Sequence, residues 1–177
     1  MRLSTSCRRP KFPQDMAETA LKGTSIQTNG DLPTGKAPSF ELARQDLTPA
    51  TLETFAGKKK VLNIFPSVDT PVCATSVRTF NEKASAKDGV VVLNISADLP
   101  FAAKRFCGAE GLEGVETLSS FRSSFAEDYG VKMVDGPLAG LMARAVLVLN
   151  EKDEIVHREL VPEIAQEPDY DAALGAV

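Results

Sequence analysis

Three short apolar runs along the chain have the length and composition of buried β-strands. They are rich in valine, leucine and isoleucine, with few charged positions. They cover residues 61–65, Val90–Ser96 and residues 143–149. Short runs that are apolar on both faces are typical of central strands in a sheet that is covered on both sides. The pattern therefore predicts a sheet with a buried core.

Amphipathic segments lie between these runs. Val77, Phe80 and Ala84 recur at three- and four-residue intervals, which is the spacing of one helix face. Asp98, as a cap, and Pro100, in the first turn, predict the start of another helix. The predicted helices cover residues 72–87, residues 98 to 106 or 107, and residues 120–129.

Smaller elements are predicted near both ends of the chain. Alternating stretches on either side of Gly23-Thr24 predict a β-hairpin. Thr48 followed by Pro49 is typical of a helix start, and predicts a short helix to about Ala56. A fourth strand is predicted over residues 155–161, and a helix over residues 168–176. The fourth strand should pair antiparallel to the third, because the turn between them is too short for a crossover.

The alternation of strands and helices predicts an α/β protein. Successive strand–helix–strand units favour a parallel sheet core with helices on both faces. The final antiparallel hairpin makes the central sheet mixed. This order resembles the thioredoxin-like fold, with an inserted helix and an additional N-terminal β-hairpin.

The length of 177 residues suits one domain, which we assign to residues 16–177. Residues 1–15 contain four basic residues, one acid and two prolines. They lack the continuous apolar core of a secretory signal. We interpret them as a disordered extension, or as residues that precede the natural start at Met16.

Composition excludes several classes of function. A net charge of −4 and a pI near 5.1 argue against nucleic-acid binding. The apolar runs are far shorter than the roughly 20 residues of a membrane span. A single histidine excludes a two-histidine metal motif, and a Ser-His-Asp site would have to use His157.

The three cysteines are Cys7, Cys73 and Cys107. Their odd number and wide spacing do not fit the disulfide framework of a small secreted protein. The sequence contains no C-x-x-C pair, which excludes the usual zinc-ribbon and dithiol motifs. The protein is therefore expected in the cytoplasm, with thiols that are either inert or chemically active.

Cys73 has the most reactive predicted position. It lies in the first turn of the helix that follows the first buried strand, near the carboxyl edge of the sheet where ligands bind in such folds. Free N–H groups and the helix dipole stabilise a thiolate there. Asp69 would oppose this effect if its carboxylate lay beside the sulfur, unless it acts as a cap that faces away.

The residues around Cys73 resemble the active-site motif of the peroxiredoxins, and in particular the bacterial thiol peroxidase subfamily. The motif is Pro66-x-x-x-Thr70-x-x-Cys73. The resemblance covers about residues 18–176. It also includes the segments at residues 63–73, 95–102, 105–112, 135–138, 143–146 and 167–170. Pro71 departs from the glycine that many members have, and it fixes φ in the active loop.

The resemblance implies a role for each residue of the motif. Cys73 is the peroxidatic thiol, which attacks a hydroperoxide and becomes a sulfenic acid. Thr70 binds the thiolate and the peroxide through its hydroxyl group. Arg144 holds the thiolate charged and polarises the O–O bond, and Pro66 shields the sulfur from water.

The resemblance also implies an atypical two-cysteine cycle. Cys107 is then the resolving thiol, which forms an intrasubunit Cys73–Cys107 disulfide with the sulfenate. The residues themselves leave a one-cysteine enzyme open. If the two thiols lie at different helix ends, their Cα atoms exceed the bridging limit of about 7 Å. We therefore predict local unwinding of one or both helices during turnover.

The expected activity is a thioredoxin-dependent peroxidase that reduces hydrogen peroxide and organic hydroperoxides, in antioxidant defence. The resemblance implies a homodimer, thioredoxin as the reductant, and no nucleic-acid or membrane partner. It also implies that no cofactor is needed. A peroxide sensor that passes oxidation to another protein would use the same two thiols and stays an alternative. A non-catalytic interaction module is a third, disfavoured by the intact motif.

Overall fold

The computed structural model describes residues 16–84, 86–113 and 115–177. Residues 1–15 lie outside this part, and with them the predicted extension and Cys7. The strands are β1 (Glu18–Leu21), β2 (Thr24–Gln27), β3 (Glu41–Ala43), β4 (Pro49–Thr51), β5 (Lys59–Ile64), β6 (Val90–Ser96), β7 (Glu116–Ser119), β8 (Ala145–Leu149) and β9 (Ile155–Leu160). The helices are α1 (Pro71–Ala84), α2 (Pro100–Glu110), α3 (Phe125–Asp128), α4 (Tyr170–Gly175) and a 3-10 turn over Leu52–Phe55.

Seven strands form one mixed sheet in the order β4-β3-β7-β6-β5-β8-β9. The central β5, β6 and β7 are parallel, and the other pairs are antiparallel. The predicted α/β class and mixed sheet are confirmed, as is the antiparallel pairing of the last two strands. Because β8 runs antiparallel to β5, the start of β8 lies beside the end of β5.

Side chains of the central strands alternate between two apolar layers. Leu62 and Ile64 of β5 pack in the layer that includes Phe125 of α3. Val61, which precedes Leu62, packs on the opposite face with Phe80 of α1 and with α4. This alternation is the period-two pattern of a strand buried on both faces. Helices therefore cover both faces of the sheet, as predicted.

The N-terminal hairpin is confirmed as a separate two-stranded sheet. Its turn is Lys22-Gly23, one residue earlier than predicted, and both residues have positive φ. That geometry is typical of a two-residue hairpin turn. The carboxylate of Glu163 accepts hydrogen bonds from both turn amides at 3.0 Å. The hairpin is thereby attached to the segment that follows β9.

Two predicted helices are largely wrong. The Thr48-Pro49 signal does not start a helix, because Pro49–Thr51 pairs with Glu41–Ala43 as an edge strand. Helix is confined there to the single 3-10 turn that follows. Of the predicted helix over residues 120–129, only the four residues of α3 are helical.

The helix predicted from residue 98 to residue 106 or 107 is confirmed, and it is longer than predicted. It continues through Gly108 to Glu110 and ends at Gly111, whose φ of 64° gives the left-handed cap. Its N-cap is Leu99, so Asp98 does not cap it as predicted. Among the described residues, no helix has both the length and the apolar content needed to cross a membrane.

Candidate active site

Cys73 lies where the sequence predicts it, at the start of the helix that follows β5. It is the third residue of α1, and its side chain is fully buried. Pro71 is the first residue of α1. Proline is favourable there, because its φ suits a helix and the missing N–H would have no helical partner. The departure from glycine therefore helps to define the helix start.

Arg144 directly contacts the sulfur of Cys73. Its Nη2 donates to Cys73 Sγ at 3.2 Å, and its Nε donates to the carbonyl of Ile164 at 2.9 Å. Arg144 immediately precedes β8, and Ala145 pairs with Ile64 at the end of β5. The antiparallel register thus places the arginine next to the active loop. A buried guanidinium at this distance stabilises a negative charge on sulfur.

Arg144 is 1% exposed, so its charge needs partners inside the protein. Two of its three nitrogens are hydrogen-bonded as described above. The third, Nη1, is buried without a hydrogen-bond partner among the described residues. One strong donor at the site is therefore free for a ligand.

A largely apolar pocket of about 290 Å³ opens beside this arginine. Pro66 and Arg144 are buried in its wall, and Thr70 lies at its exposed side. The hairpin contributes Leu21. The other lining residues are Ser67, Pro71, Val72, Leu138, Leu141, Ile164 and Ala165. The pocket therefore brings three of the residues predicted from the motif to one place.

Thr70 makes a contact that the motif did not indicate. Its Oγ1 donates to the carbonyl of Ser67 at 3.1 Å, so its single proton is used within the loop. Its carbonyl accepts from the amide of Ala74 at 3.0 Å. Binding of the thiolate by Thr70 stays a prediction, since it requires the hydroxyl to turn away from Ser67.

Asp69 is engaged away from the thiol. Its two carboxylate oxygens accept from Arg105 Nη2 at 2.9 and 3.2 Å, in an exposed ion pair with α2. This pairing leaves the Asp69 charge compensated at the surface. It removes the reason for treating Asp69 as an opposing charge beside Cys73.

Asp98 is a functional candidate that the sequence analysis assigned wrongly. Its carboxylate accepts from Ser67 Oγ (2.8 Å), the amide of Val68 (2.8 Å) and Ser96 Oγ (2.7 Å). It follows β6, which is parallel to β5, so both strand ends lie at the same edge of the sheet. Asp98 thus holds the active loop in place. In the sequence, this role of Asp98 was indicated only by the serines that bind it, and a serine does not show which residue it binds.

Cys107 lies in α2 and is also buried. It belongs to the same apolar cluster as Cys73, together with Phe65, Val68, Val77 and Phe106. Both thiols are free, so no disulfide joins them in this structure. The predicted pair is therefore held in one region of the core, with each cysteine on its own helix.

The surroundings of Cys107 differ from those of Cys73. Burial raises the pKa of the Cys107 thiol, while hydrogen bonding from the Gln45 and Thr117 side chains offsets part of the increase. These two side chains are also bonded to each other, with Gln45 Nε2 donating to Thr117 Oγ1 at 2.7 Å. The buried Cys107 thiol is therefore harder to ionise than a thiol in water.

The sequence also singled out His157 and excluded a two-histidine metal motif. His157 is half-buried on β9, opposite Val148, and does not line the pocket. Across residues 16–84, 86–113 and 115–177 there is no cluster of three histidine, cysteine, aspartate or glutamate side chains that could hold a metal ion.

The chain is similar to known proteins over most of its length. The redoxin family model matches residues 33–174. The thiol peroxidases of Mycobacterium tuberculosis and Mycobacterium bovis are 57% identical over 164 residues, covering 92% of this chain and 99% of theirs. A peroxiredoxin-like protein from Aquifex aeolicus has a similar structure, with a TM-score of 0.85, 37% identity and coverage of 92% and 96% of the two chains.

Proposed function

Because the chain belongs to the redoxin family, as a peroxiredoxin of the thiol peroxidase subfamily, we propose that Cys73 is its peroxidatic thiol and Cys107 its resolving thiol. The enzyme is a thiol-dependent peroxidase. The observation that supports the assignment of Cys73 is the 3.2 Å contact between its sulfur and Nη2 of Arg144, whose side chain lines the pocket. Cys107 has no such cation within its described contacts.

In the first step the Cys73 thiolate attacks the terminal oxygen of a hydroperoxide. An S–O bond forms and the O–O bond breaks, which leaves a sulfenic acid and an alkoxide or hydroxide that takes a proton from water. Arg144 stabilises the thiolate through Nη2 and offers Nη1 to the peroxide oxygens. Preorganised donors of this kind stabilise developing charge without reorganisation during the reaction.

The pocket wall bears on the choice of peroxide. Apart from Arg144, Ser67 and Thr70, its lining side chains are aliphatic or proline. Such a surface favours the alkyl part of an organic hydroperoxide, whereas hydrogen peroxide needs only the polar groups. We propose that the enzyme accepts both, with Leu21 of the hairpin contacting the alkyl group.

In the second step the Cys107 thiolate attacks the sulfur of the Cys73 sulfenic acid. The disulfide forms and the hydroxyl group leaves, to be protonated to water. Cys73 is held by Arg144 next to β8, and Cys107 contacts Thr117 on β7. Each cysteine lies within its own helix, and a disulfide requires the two Cα atoms to come within about 7 Å of each other. Bond formation therefore requires one or both helices to unwind locally.

Thioredoxin is the proposed reductant, since its dithiol would restore both cysteines by disulfide exchange. We further propose a homodimer and a cytoplasmic location, where thiols are kept reduced. The test is peroxide-dependent NADPH oxidation with thioredoxin and its reductase. Sustained turnover supports the cycle. A single round of oxidation with slow re-reduction would instead favour a peroxide sensor.

Cys107→Ser should separate the two steps. We expect the variant to reduce one equivalent of peroxide per chain at a rate within about twofold of the wild type, because the groups around Cys73 are unchanged. Its thioredoxin-linked turnover should be lost. Rapid mixing with stoichiometric peroxide measures the first quantity, and coupled NADPH oxidation the second. Normal turnover in the variant would show that the enzyme uses one cysteine.

Disulfide formation should become faster as the pH rises. Burial raises the pKa of the Cys107 thiol, so neutral pH leaves it mostly protonated, and the protonated thiol is not the nucleophile. Below the pKa, the thiolate fraction increases about tenfold per pH unit, so the rate should rise steeply from about pH 7 to about pH 9. The chain has no tryptophan, so rapid quenching with an alkylating agent followed by mass spectrometry is the suitable measurement. A rate that does not change over this range would contradict the assignment.

A further inference from the structure

A chain of buried polar side chains crosses the sheet beneath Cys73. Asn63 of β5 and Asn94 of β6 occupy paired positions, and Asn63 Nδ2 donates to Asn94 Oδ1 at 2.8 Å. Asn63 Nδ2 also donates to Ser76 Oγ at 3.3 Å. Ser76 Oγ in turn donates to the carbonyl of Cys73 at 2.8 Å. The three side chains are at most 1% exposed.

This arrangement is costly because it places amide groups in the interior of the sheet. Buried amide groups must be hydrogen-bonded to offset their desolvation. Asn94 reaches β7 by donating to the carbonyl of Glu116 at 3.2 Å, but Asn63 Oδ1 has no partner among the described residues. Apolar side chains at these positions would fill the layer without that cost. At its other end, this chain of polar side chains holds the backbone of Cys73, because Ser76 donates to the Cys73 carbonyl.

The bond from Ser76 exists only while the start of α1 is helical. Its hydroxyl reaches back three residues to the Cys73 carbonyl, inside the first turn. Unwinding that turn moves the carbonyl away. The Ser76 hydroxyl would then lose its acceptor in a dry interior, which is unfavourable for a buried polar group. The polar chain thus favours the helical form of this turn over the unwound form.

We propose that Ser76, supported by Asn63, is a positioning residue that sets the equilibrium between the helical and the unwound first turn of α1 after Cys73 is oxidised. The inference rests on the proposed function, because unwinding matters only if Cys107 must reach the sulfenic acid. In the helical form the sulfenate stays beside Arg144, whose side chain lines the pocket, and can attack a second hydroperoxide. That reaction gives a sulfinic acid and releases water or an alcohol. Ser76 therefore sets the partition between the disulfide and over-oxidation.

Ser76→Ala removes the hydroxyl group with a minimal change in volume. The net contribution of such a hydrogen bond corresponds to about a three- to tenfold change in the unwinding equilibrium. We expect disulfide formation to accelerate by that factor, and the sulfinic fraction at a given peroxide concentration to fall by a similar factor. The second-order rate of the first peroxide reaction should stay within about twofold, since Arg144 still holds the sulfur.

Thr75→Ala is the matched control. Thr75 Oγ1 donates to the carbonyl of Pro71 at 3.0 Å in the same turn, but at the exposed side and without a link to the sheet. Exposed back-bonds of this kind contribute little to helix stability. We expect its disulfide formation to stay within about twofold of the wild type. Equal acceleration in both variants would overturn the role given to the buried chain.

Hydrogen exchange in the reduced protein gives a second readout that does not depend on activity. Amides in the first turn of α1 should exchange faster in Ser76→Ala than in the wild type, while those of β5 and β6 should not change. Unchanged exchange, or disulfide formation at the wild-type rate, would overturn the proposal. If the wild type forms no Cys73–Cys107 disulfide, the resolving role of Cys107 fails, and the exchange data still decide whether Ser76 holds the turn.

Discussion

Cys73→Ser should abolish peroxidase activity completely. A serine hydroxyl does not ionise near neutral pH and cannot form a sulfenic acid, so Arg144 would have no thiolate to stabilise. We expect peroxide consumption by the variant to fall by at least about 10³-fold, to the level of an unactivated thiol. Rapid mixing with peroxide measures this loss, and coupled NADPH oxidation should show no turnover.

The control for this prediction is Cys7→Ser, the same substitution at a cysteine outside the proposed chemistry. It should keep the activity of the wild type in both assays. Activity that survives in Cys73→Ser and disappears in a Cys107 variant would transfer the peroxidatic role to Cys107. That result would contradict the assignment that rests on the arginine contact.

Arg144→Met should nearly abolish activity while leaving the fold intact. Methionine fills much of the same space but supplies neither the charge nor the donors to the sulfur and the peroxide. Removing one preorganised donor typically costs about 10²–10³-fold in rate, and we expect a loss of at least this size in the second-order rate with peroxide.

Stability should not follow the same trend. The substitution removes a buried charge together with its desolvation cost, but the carbonyl of Ile164 loses its donor. We therefore expect the Tm of Arg144→Met to fall by only a few degrees while the activity is nearly lost. Arg158→Met is the control, since Arg158 on β9 donates to the carbonyl of Leu32. A normal peroxide rate in Arg144→Met would exclude the proposed role.

Asp98 and Arg144 show how the fold positions the active loop from two sides. Asp98 follows β6, parallel to β5, and holds Ser67 and Val68. Arg144 precedes β8, antiparallel to β5, and holds Cys73. Both contacts arise because a parallel neighbour ends, and an antiparallel neighbour begins, at the same edge of the sheet. The active loop therefore has a partner on each side of β5.

The strongest local patterns predicted the fold well. The central strands β5, β6 and β8 are buried on both faces, so each stands out as an apolar run. Strands β3, β4 and β7 were missed because they have no such apolar run. β7 is Glu-Thr-Leu-Ser, with one apolar residue, and its stability comes from pairing with β6. β3 and β4 contain three residues each, too few to show a period.

The helix-start signals at Thr48-Pro49 and Asp98 were ambiguous, because segments that are distant in sequence decide which structure these residues adopt. Thr48-Pro49 has the local form of a helix start, yet Pro49 begins an edge strand, where a missing N–H is tolerated. Asp98 has the form of a helix cap, yet its carboxylate binds the loop after another strand. In both cases a local preference of about 1 kcal/mol is outweighed by pairing with a distant segment.

The sequence by itself predicted the fold class and the helix start at Cys73, because these depend on residue types and short spacings, and the family resemblance implied the thiol chemistry and named Arg144. Only the tertiary structure decided the geometry around the sulfur. Arg144 is 71 positions away from Cys73, and Asn63 and Asn94 contribute to its helix through the sheet. Such contacts follow from strand order and register, which many distant pairings fix together and no local pattern records.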